Sequence, residues 1–395
     1  MHPARVAQAV ELMTAFVSRT GVATAQRSRR YLWTDAFAVC NLLGLERATG
    51  EGRHRELALR LVDQVHHTLG RHRSDDVRSG WLSGLDEREA EAHPTRGGLR
   101  IGKPLPERRP DEPPDDRLEW ERDGQYFHYL TKWMHALDQM TRATGQPIFN
   151  AWARELAEVA HRAFTYVPRR GAGRRMHWKM SIDLSRPLVA SMGHHDPLDG
   201  CVTCAQLDMT ARATGAPAPG PHLAGATADF AAMIEPKALA TADPLGLGGL
   251  LVDALRVEQL IQEGAPAQGS DLLAALLEAA LVGLTHYLQG AELRSPADRR
   301  LAFREFGLSI GLAAVGLMDR RARRATAQFA HGSELAQRLA SLMRYLPVRT
   351  EIESFWLQPE HRRTQSWREH EDINDVMLAT SLAPEGFLLI EPAVG

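Results

Sequence analysis

Four side chains stand where proton-transfer chemistry could be done: Asp35, His128, His135 and Asp199. Asp35 lies inside an apolar stretch, where a carboxylate is costly unless it is paired or faces a wet cavity. His128 and Asp199 open two helix-like segments, and a histidine titrates close enough to neutrality to serve as acid or base. Cleaving a glycoside needs an acid for the leaving oxygen together with a base or nucleophile, a set that Asp199, His128 and Asp35 can supply. Epimerising or isomerising a sugar needs instead a base that takes a proton beside a carbonyl, a role suited to His135 and other pocket histidines. Tryptophans offer flat apolar faces to a sugar ring, and Trp33, Trp81, Trp178, Trp356 and Trp367 all fall near predicted helix starts or loops. Core packing is the ordinary alternative use of a Trp.

Two stretches break the helical rhythm. Residues 86–124 are rich in Pro and charge, and read as a solvated loop over 104–116 or as a flap over a pocket mouth. The flanking GWLSGL (80–85) and GGLRIGK (97–103) look like pocket lining. The second excursion, 169–199, is rich in Arg, His and Trp and makes Trp178, Lys179, Asp183 and Arg186 candidates for substrate contact. Its basic residues Arg169, Arg170, Arg174, Arg175 and Lys179 would suit an acidic sugar, or simply form a surface cluster. His194 and His195 precede one helix as Glu353, Trp356, His361 and Trp367 precede the last, and Glu305 opens another, so these too are expected at a pocket edge. Each sharp reading has a plain counterpart: Asp199 can be a helix N-cap, although Asp196 could cap one turn earlier, and the histidines can be satisfied core residues. The segment HHDPLDGCVTC (194–204) offers four soft or borderline metal ligands. Because Cys201 and Cys204 fall within a predicted helix rather than a turn, buried thiols are the preferred reading and no metal or other cofactor is assigned.

The elements that position these groups are legible from a repeat. RATG occurs at 47–50, 142–145 and 212–215, each time closing a segment of helical periodicity (31–50, 126–145, 196–215). Glycine tolerates the left-handed conformation that ends a helix, and Leu42, Leu137 and Leu207 share one aligned position as a buried face requires. Amphipathic partners follow at 53 and 149, so the unit is a helical hairpin. Further pairs are expected at 243 with 270 and at 303–320 with 333–345, and a last helix at 367–382. Six inner helices in sequence suggest a closed ring: an all-α (α/α)6 toroid of helical hairpins, residues 1–395 as one domain, with the two excursions as long pocket-edging loops. The 395 residues, 44% hydrophobic content and formal net charge of −2 allow a sizeable core and show no global bias toward nucleic acid or membrane. No export signal or transmembrane span is evident, and three cysteines suit a reducing compartment, so cytoplasm is the expected location.

Trp33, Thr34 and Phe37, counted back from Gly50, coincide with the Trp-Thr-Ser-Gly-Phe pattern of the six-hairpin glycosidases, and the chain resembles their unsaturated glucuronyl and rhamnogalacturonyl hydrolases. That resemblance implies a toroid and places the family's proton-donating aspartate at Asp199. Where those hydrolases carry a second aspartate, this chain has His128. The stretch 133–145, WMHALDQMTRATG, is similar to a helix of the N-acylglucosamine 2-epimerases, a resemblance that implies the same toroid with His135 as a functional histidine. The leading expectation is a carbohydrate-active enzyme of glycoside hydrolase type acting on a small saccharide. A sugar 2-epimerase or aldose-ketose isomerase is the alternative, and a non-catalytic helical-ring binding protein the third.

Overall fold

The computed structural model describes residues 3–24, 29–169, 173–215, 220–264, 269–324 and 333–390. Arg170 and residues 325–332, most of the link between the fifth pair of expected helices, therefore lie outside the described residues. The chain is all-α in its main elements and divides into two compact units, one of Val17–Glu46 with Glu51–Ile234, the other chiefly Glu235–Ile390 with the start of the chain.

Helix α1 (Pro3–Arg19) is followed by α2 (Leu32–Thr49) and α3 (Arg53–Leu69), and after a long connection by the short α4 (Glu87–Ala92) and α5 (Asp116–Glu121). Strand β1 (Gln125–Tyr126) leads into α6 (Phe127–Thr144), which packs against α7 (Pro147–Phe164); α8 (Asp196–Ala213) packs on α6 and pairs with α9 (Ala224–Met233). The closing glycines act as expected: Gly50, Gly145 and Gly215 have φ of +74°, +70° and +91°, values that a Cβ disfavours. The arginines of the three RATG copies are not equivalent. Arg47 and Arg212 are exposed, whereas Arg142 is buried and its Nε donates to Asp138 Oδ2 at 2.9 Å. The repeat is thus a helix stop, with a buried ion pair added in one copy.

Within the excursion at 86–124 the stretch 104–116 is largely exposed, as a solvated loop is, whereas the segments on either side of it are tied down. Asp123, fully buried, accepts from the backbone NH groups of Gly102 (2.9 Å) and Gly124 (3.1 Å) and from Arg100 Nη1 (2.9 Å). Gln125 accepts from Leu99 NH at 2.9 Å and donates to the carbonyls of Gly97 (3.1 Å) and Ile182 (2.7 Å). Two short side chains thereby satisfy the backbone of a buried loop, which would otherwise carry an unpaid desolvation cost. Small antiparallel pairings complete the frame. Strands β2 (Thr165–Tyr166) and β3 (Arg175–Met176) pair, and β4 (Lys179–Met180) lies between β1 and β5 (Pro187–Val189).

In the second unit α10 (Pro244–Gln262) packs on α11 (Gly269–Gln289) and most extensively on α12 (Ala302–Ala322), which also meets α13 (Glu334–Met343), α14 (Leu346–Trp356) and, beyond the one-turn α15 (Gln365–Arg368), α16 (Glu371–Leu382). A last turn, α17 (Glu385–Leu388), touches α10. The expected last helix is therefore broken into α15 and α16, and α9 and α14 were not anticipated. By length and composition α11 is the one described helix apolar enough to cross a bilayer, contrary to the expectation of none. Its leucines 272, 273, 276, 277 and 284 are buried, and it packs against α10 and α13 as a core helix does.

Candidate functional site

The starts of α2, α6 and α8 converge in the first unit. Trp33, from the first turn of α2, lies with its ring centroid 5.9 Å from that of His128 and 5.3 Å from Tyr129. His128 is stacked with Tyr126 (5.4 Å) and nearly parallel to Trp178 (6.1 Å, 11°). Tyr31 and Tyr129 share a hydroxyl–hydroxyl hydrogen bond of 2.7 Å, which fixes the α2 and α6 starts against each other. From α8, Asp199 Oδ2 accepts from Thr131 Oγ1 at 2.5 Å and Lys132 Nζ at 2.7 Å, and Asp196 Oδ1 stands 4.0 Å from His128 Nδ1. His128 and Asp199 thus lie in one cluster, near enough for the Asp199 charge to act on the imidazole.

Three buried polar atoms in this cluster have no hydrogen-bond partner: Trp33 Nε1, His128 Nδ1 and Asp196 Oδ2. Orphaned groups are rare in folded proteins and call for an explanation, of which an enclosed polar ligand is one. The protonation states are set apart by the surroundings. Burial, reinforced by the Lys132 ammonium, pushes the His128 imidazole down to about 3, so it is neutral. Burial and then the negative charge of Asp199 push the Asp196 carboxyl up to about 8, so it keeps its proton at neutral pH. A neutral imidazole can accept a proton and a protonated carboxyl can give one, the two stand 4.0 Å apart, and such divergence between neighbours is a mark of acid–base sites.

Asp196 was foreseen only as a capping residue. The tripeptide DPL occurs twice, and at Asp243 it does cap: its side chain accepts from Gly246 NH at 2.8 Å. At α8 the N-cap position is His195, with no side-chain cap, and the Asp196 carboxyl turns instead to Gly193 and His128. A signal existed. In the three segments aligned by their closing glycines, Tyr31, Tyr126 and Asp196 hold the same first position, and all three enter the site. Lys103 was anticipated as pocket lining, and its ammonium lies over the Tyr126 ring at 5.6 Å.

The position of Asp196 rests on Gly193. A Cβ at Gly193 would come within 2.2 Å of Asp196 Oδ2, and a carboxylate can rotate away at small cost. Gly193→Ala is therefore expected to leave the urea midpoint nearly unchanged while lowering turnover at least tenfold, a combination measurable on one purified variant.

The other expected residues are placed elsewhere. Asp35 is buried but paired, accepting from Tyr31 NH at 2.9 Å with Arg30 Nη1 at 3.4 Å, so it ties the α2 start rather than facing a wet cavity. His135 lies two turns along α6 from His128, buried against Gln206, whose Nε2 donates to Asp138 at 2.7 Å; it belongs to the network of Arg142. Trp81 is buried between His67 and Arg71, its Nε1 donating to Glu87 at 3.1 Å. Lys179 is wholly buried and spends its donors on the carbonyls of Glu119 (2.5 Å) and Arg122 (2.8 Å) and on the Glu119 carboxylate, so it anchors a loop. Burial pushes its ammonium down to about 8.

Asp183 and Arg186 stitch loops together. Burial would raise the Asp183 carboxyl, but Ser185, Ser181 and Arg78 hold it at about 2, and Arg186 donates to the Arg108 carbonyl. Arg169 and Arg175 are exposed, and Arg174 pairs with Asp229 at 3.0 Å. His194 and His195 adjoin each other at 4.4 Å ahead of α8.

In the second unit Glu305 is bound by Arg300 at 2.7 and 2.6 Å and by Trp356 Nε1 at 2.8 Å. Trp356 and Trp367 are buried against Phe306 and each other, so they offer core contacts and no open face. His361 stacks on Phe355 at 3.8 Å and hydrogen-bonds its carbonyl. Cys40, Cys201 and Cys204 are buried, and among the described residues no three His, Cys, Asp or Glu side chains gather as a metal set. A cleft of about 410 Å³ lies on the α7 side, lined by Trp152, Glu155 and Arg162 among others. It holds none of the acid–base pair, and the orphaned atoms beside His128 make the stronger case for a site.

Neither a protein-family model nor a curated protein matches the sequence. Among solved structures, cellobiose 2-epimerase from Spirochaeta thermophila DSM 6192 is similar over 89% of this chain and 86% of that one, with 13% identical residues and a TM-score of 0.46.

Proposed function

We propose that this chain is a carbohydrate-active enzyme that moves protons on a reducing sugar, as an epimerase or aldose-ketose isomerase does, with His128 as base and Asp196 as acid. One observation carries the reading: the His128 imidazole and the Asp196 carboxyl stand 4.0 Å apart, each with an unpartnered buried atom, beside the rings of Trp33 and Tyr126. In such a site His128 takes the proton from the carbon beside the carbonyl while Asp196 gives its proton to the carbonyl oxygen, leaving a neutral enediol. Isomerisation follows when His128 returns its proton to the former carbonyl carbon and the Asp196 carboxylate takes one from the adjacent hydroxyl, and epimerisation when the proton re-enters the first carbon on its opposite face and Asp196 recovers its own. Aromatic faces around the pair suit the apolar face of a sugar. An (α/α)6 toroid is the architecture that accompanies this reading.

Glycoside hydrolysis is the second reading, favoured by the two carboxyls of Asp196 and Asp199 on one turn of α8. It ranks below because Asp199 Oδ2 is occupied by Lys132 and Thr131, which suits orienting the lysine better than activating a water. Incubation with reducing sugars and oligosaccharides in deuterium oxide separates the two. Deuterium at the carbon next to the carbonyl with chain length preserved is the expected result; shortened chains without exchange would replace it with hydrolysis.

A further inference from the structure

Trp120 is 53% exposed, an uncommon setting for an indole. It is not a loose side chain. Asp115 caps α5 by accepting from Arg117 NH (3.0 Å) and Leu118 NH (3.1 Å), and the next residue back, Glu119, is held by Arg108 Nε at 2.5 Å. The buried Lys179 grips the backbone on either side, at the Glu119 and Arg122 carbonyls. A buried ammonium is an expensive clamp for a stretch whose most conspicuous product is a surface tryptophan.

The ring that Trp120 meets is Trp178, edge-on with centroids 4.8 Å apart, and Trp178 in turn lies parallel to His128. Three rings therefore run outward from the acid–base pair, from the part-buried His128 and Trp178 to the exposed Trp120. A lone sugar would need only the inner rings. We infer that Trp178 and Trp120 are subsites for the further units of an oligosaccharide whose reacting end lies at His128 and Asp196, an inference that rests on the proposed sugar chemistry. An indole face recognises the apolar side of a pyranose and tolerates its substituents, so a rail of two successive indoles selects for chain length.

The test measures KM and kcat for 1,4-linked glucose, mannose and galacturonate series of one to four units. KM in the accepted series is expected to fall with length, and Trp120→Ala to flatten that dependence. KM for the tri- and tetrasaccharide should rise about two- to tenfold, the worth of one aromatic contact, with the loss in KM rather than kcat. Trp120→Phe should recover most of it. Equal KM at every length for wild type and Trp120→Ala, with turnover present, overturns the rail and leaves the proton-transfer reading standing. Turnover and binding of no member of any series overturn both. If Trp120→Ala instead abolishes self-association in sedimentation without moving KM, the exposed indole is a protein contact and the inference fails.

Discussion

Asp196→Asn is expected to reduce turnover by two to four orders of magnitude while making the folded chain more stable at neutral and alkaline pH. The amide keeps the shape of the carboxyl but cannot donate the transferred proton. The stability effect follows from linkage. Between about pH 4 and 8 the unfolded chain releases the Asp196 proton and the native state, with its carboxyl at about 8, retains it; the native state binds more protons, so stability falls as pH rises through this window. Asparagine removes that slope. His128 acts at the other end: with its imidazole pushed down to about 3, the unfolded chain takes up a proton below about pH 6.5 that the native state refuses, and stability falls on acidification. Urea titrations from pH 5 to 9 read both slopes, and kcat/KM across the same range should decline above about pH 8 as Asp196 ionises. A variant with full activity, or one whose stability tracks wild type at every pH, would remove Asp196 from the acid role.

Gly248→Ala is expected to be among the most destabilising single substitutions in the second unit. A Cβ at Gly248 would stand 2.0 Å from the Gly307 carbonyl oxygen and 2.8 Å from Leu308 N. From the opposite side, a Cβ at Gly311 would meet Gly248 Cα at 2.7 Å. These neighbours are backbone atoms and cannot rotate aside, so α10 and α12, the most extensively packed helix pair, must move apart. Overpacking of this kind costs about 1–3 kcal/mol and sometimes more, and every element that α12 carries, from α13 to α16, is disturbed with it. The urea midpoint should fall, with Gly311→Ala behaving alike. Gly249→Ala is the control, since nothing lies within 4 Å of its added carbon. Equal midpoints for Gly248→Ala and Gly249→Ala would show that the helices do not cross on these glycines.

What a reader can take from the chain alone depends on how local the cause is. The helices of the RATG segments were legible to within a residue or two because periodicity and a closing glycine act over a few neighbours. The α9 segment AGATADFAAM carries little periodic signal because it is short and nearly uniform in small residues, and α14 because only Ile352, Glu353 and Trp356 of its residues are buried. Glycine pairs such as Gly248 with Gly307 and Gly311 carry no local sign of their purpose, since the close approach exists only once two distant helices cross.

The same boundary runs through the site. That His128 and Asp199 open helices, and that Tyr31, Tyr126 and Asp196 share one aligned position, was determined by the sequence, for hairpins of one length bring equivalent positions to the same end. Which carboxyl keeps its proton was not. Asp35, Asp196 and Asp199 are all buried, yet Asp35 received Arg30, Asp199 received Lys132 and Thr131, and Asp196 received a neutral imidazole and the Gly193 backbone, with the Lys132 charge too weak there to offset burial. Burial raises a carboxyl and a cation lowers it, and the cations were delivered by folding, from residues 5 to 67 positions away in the chain.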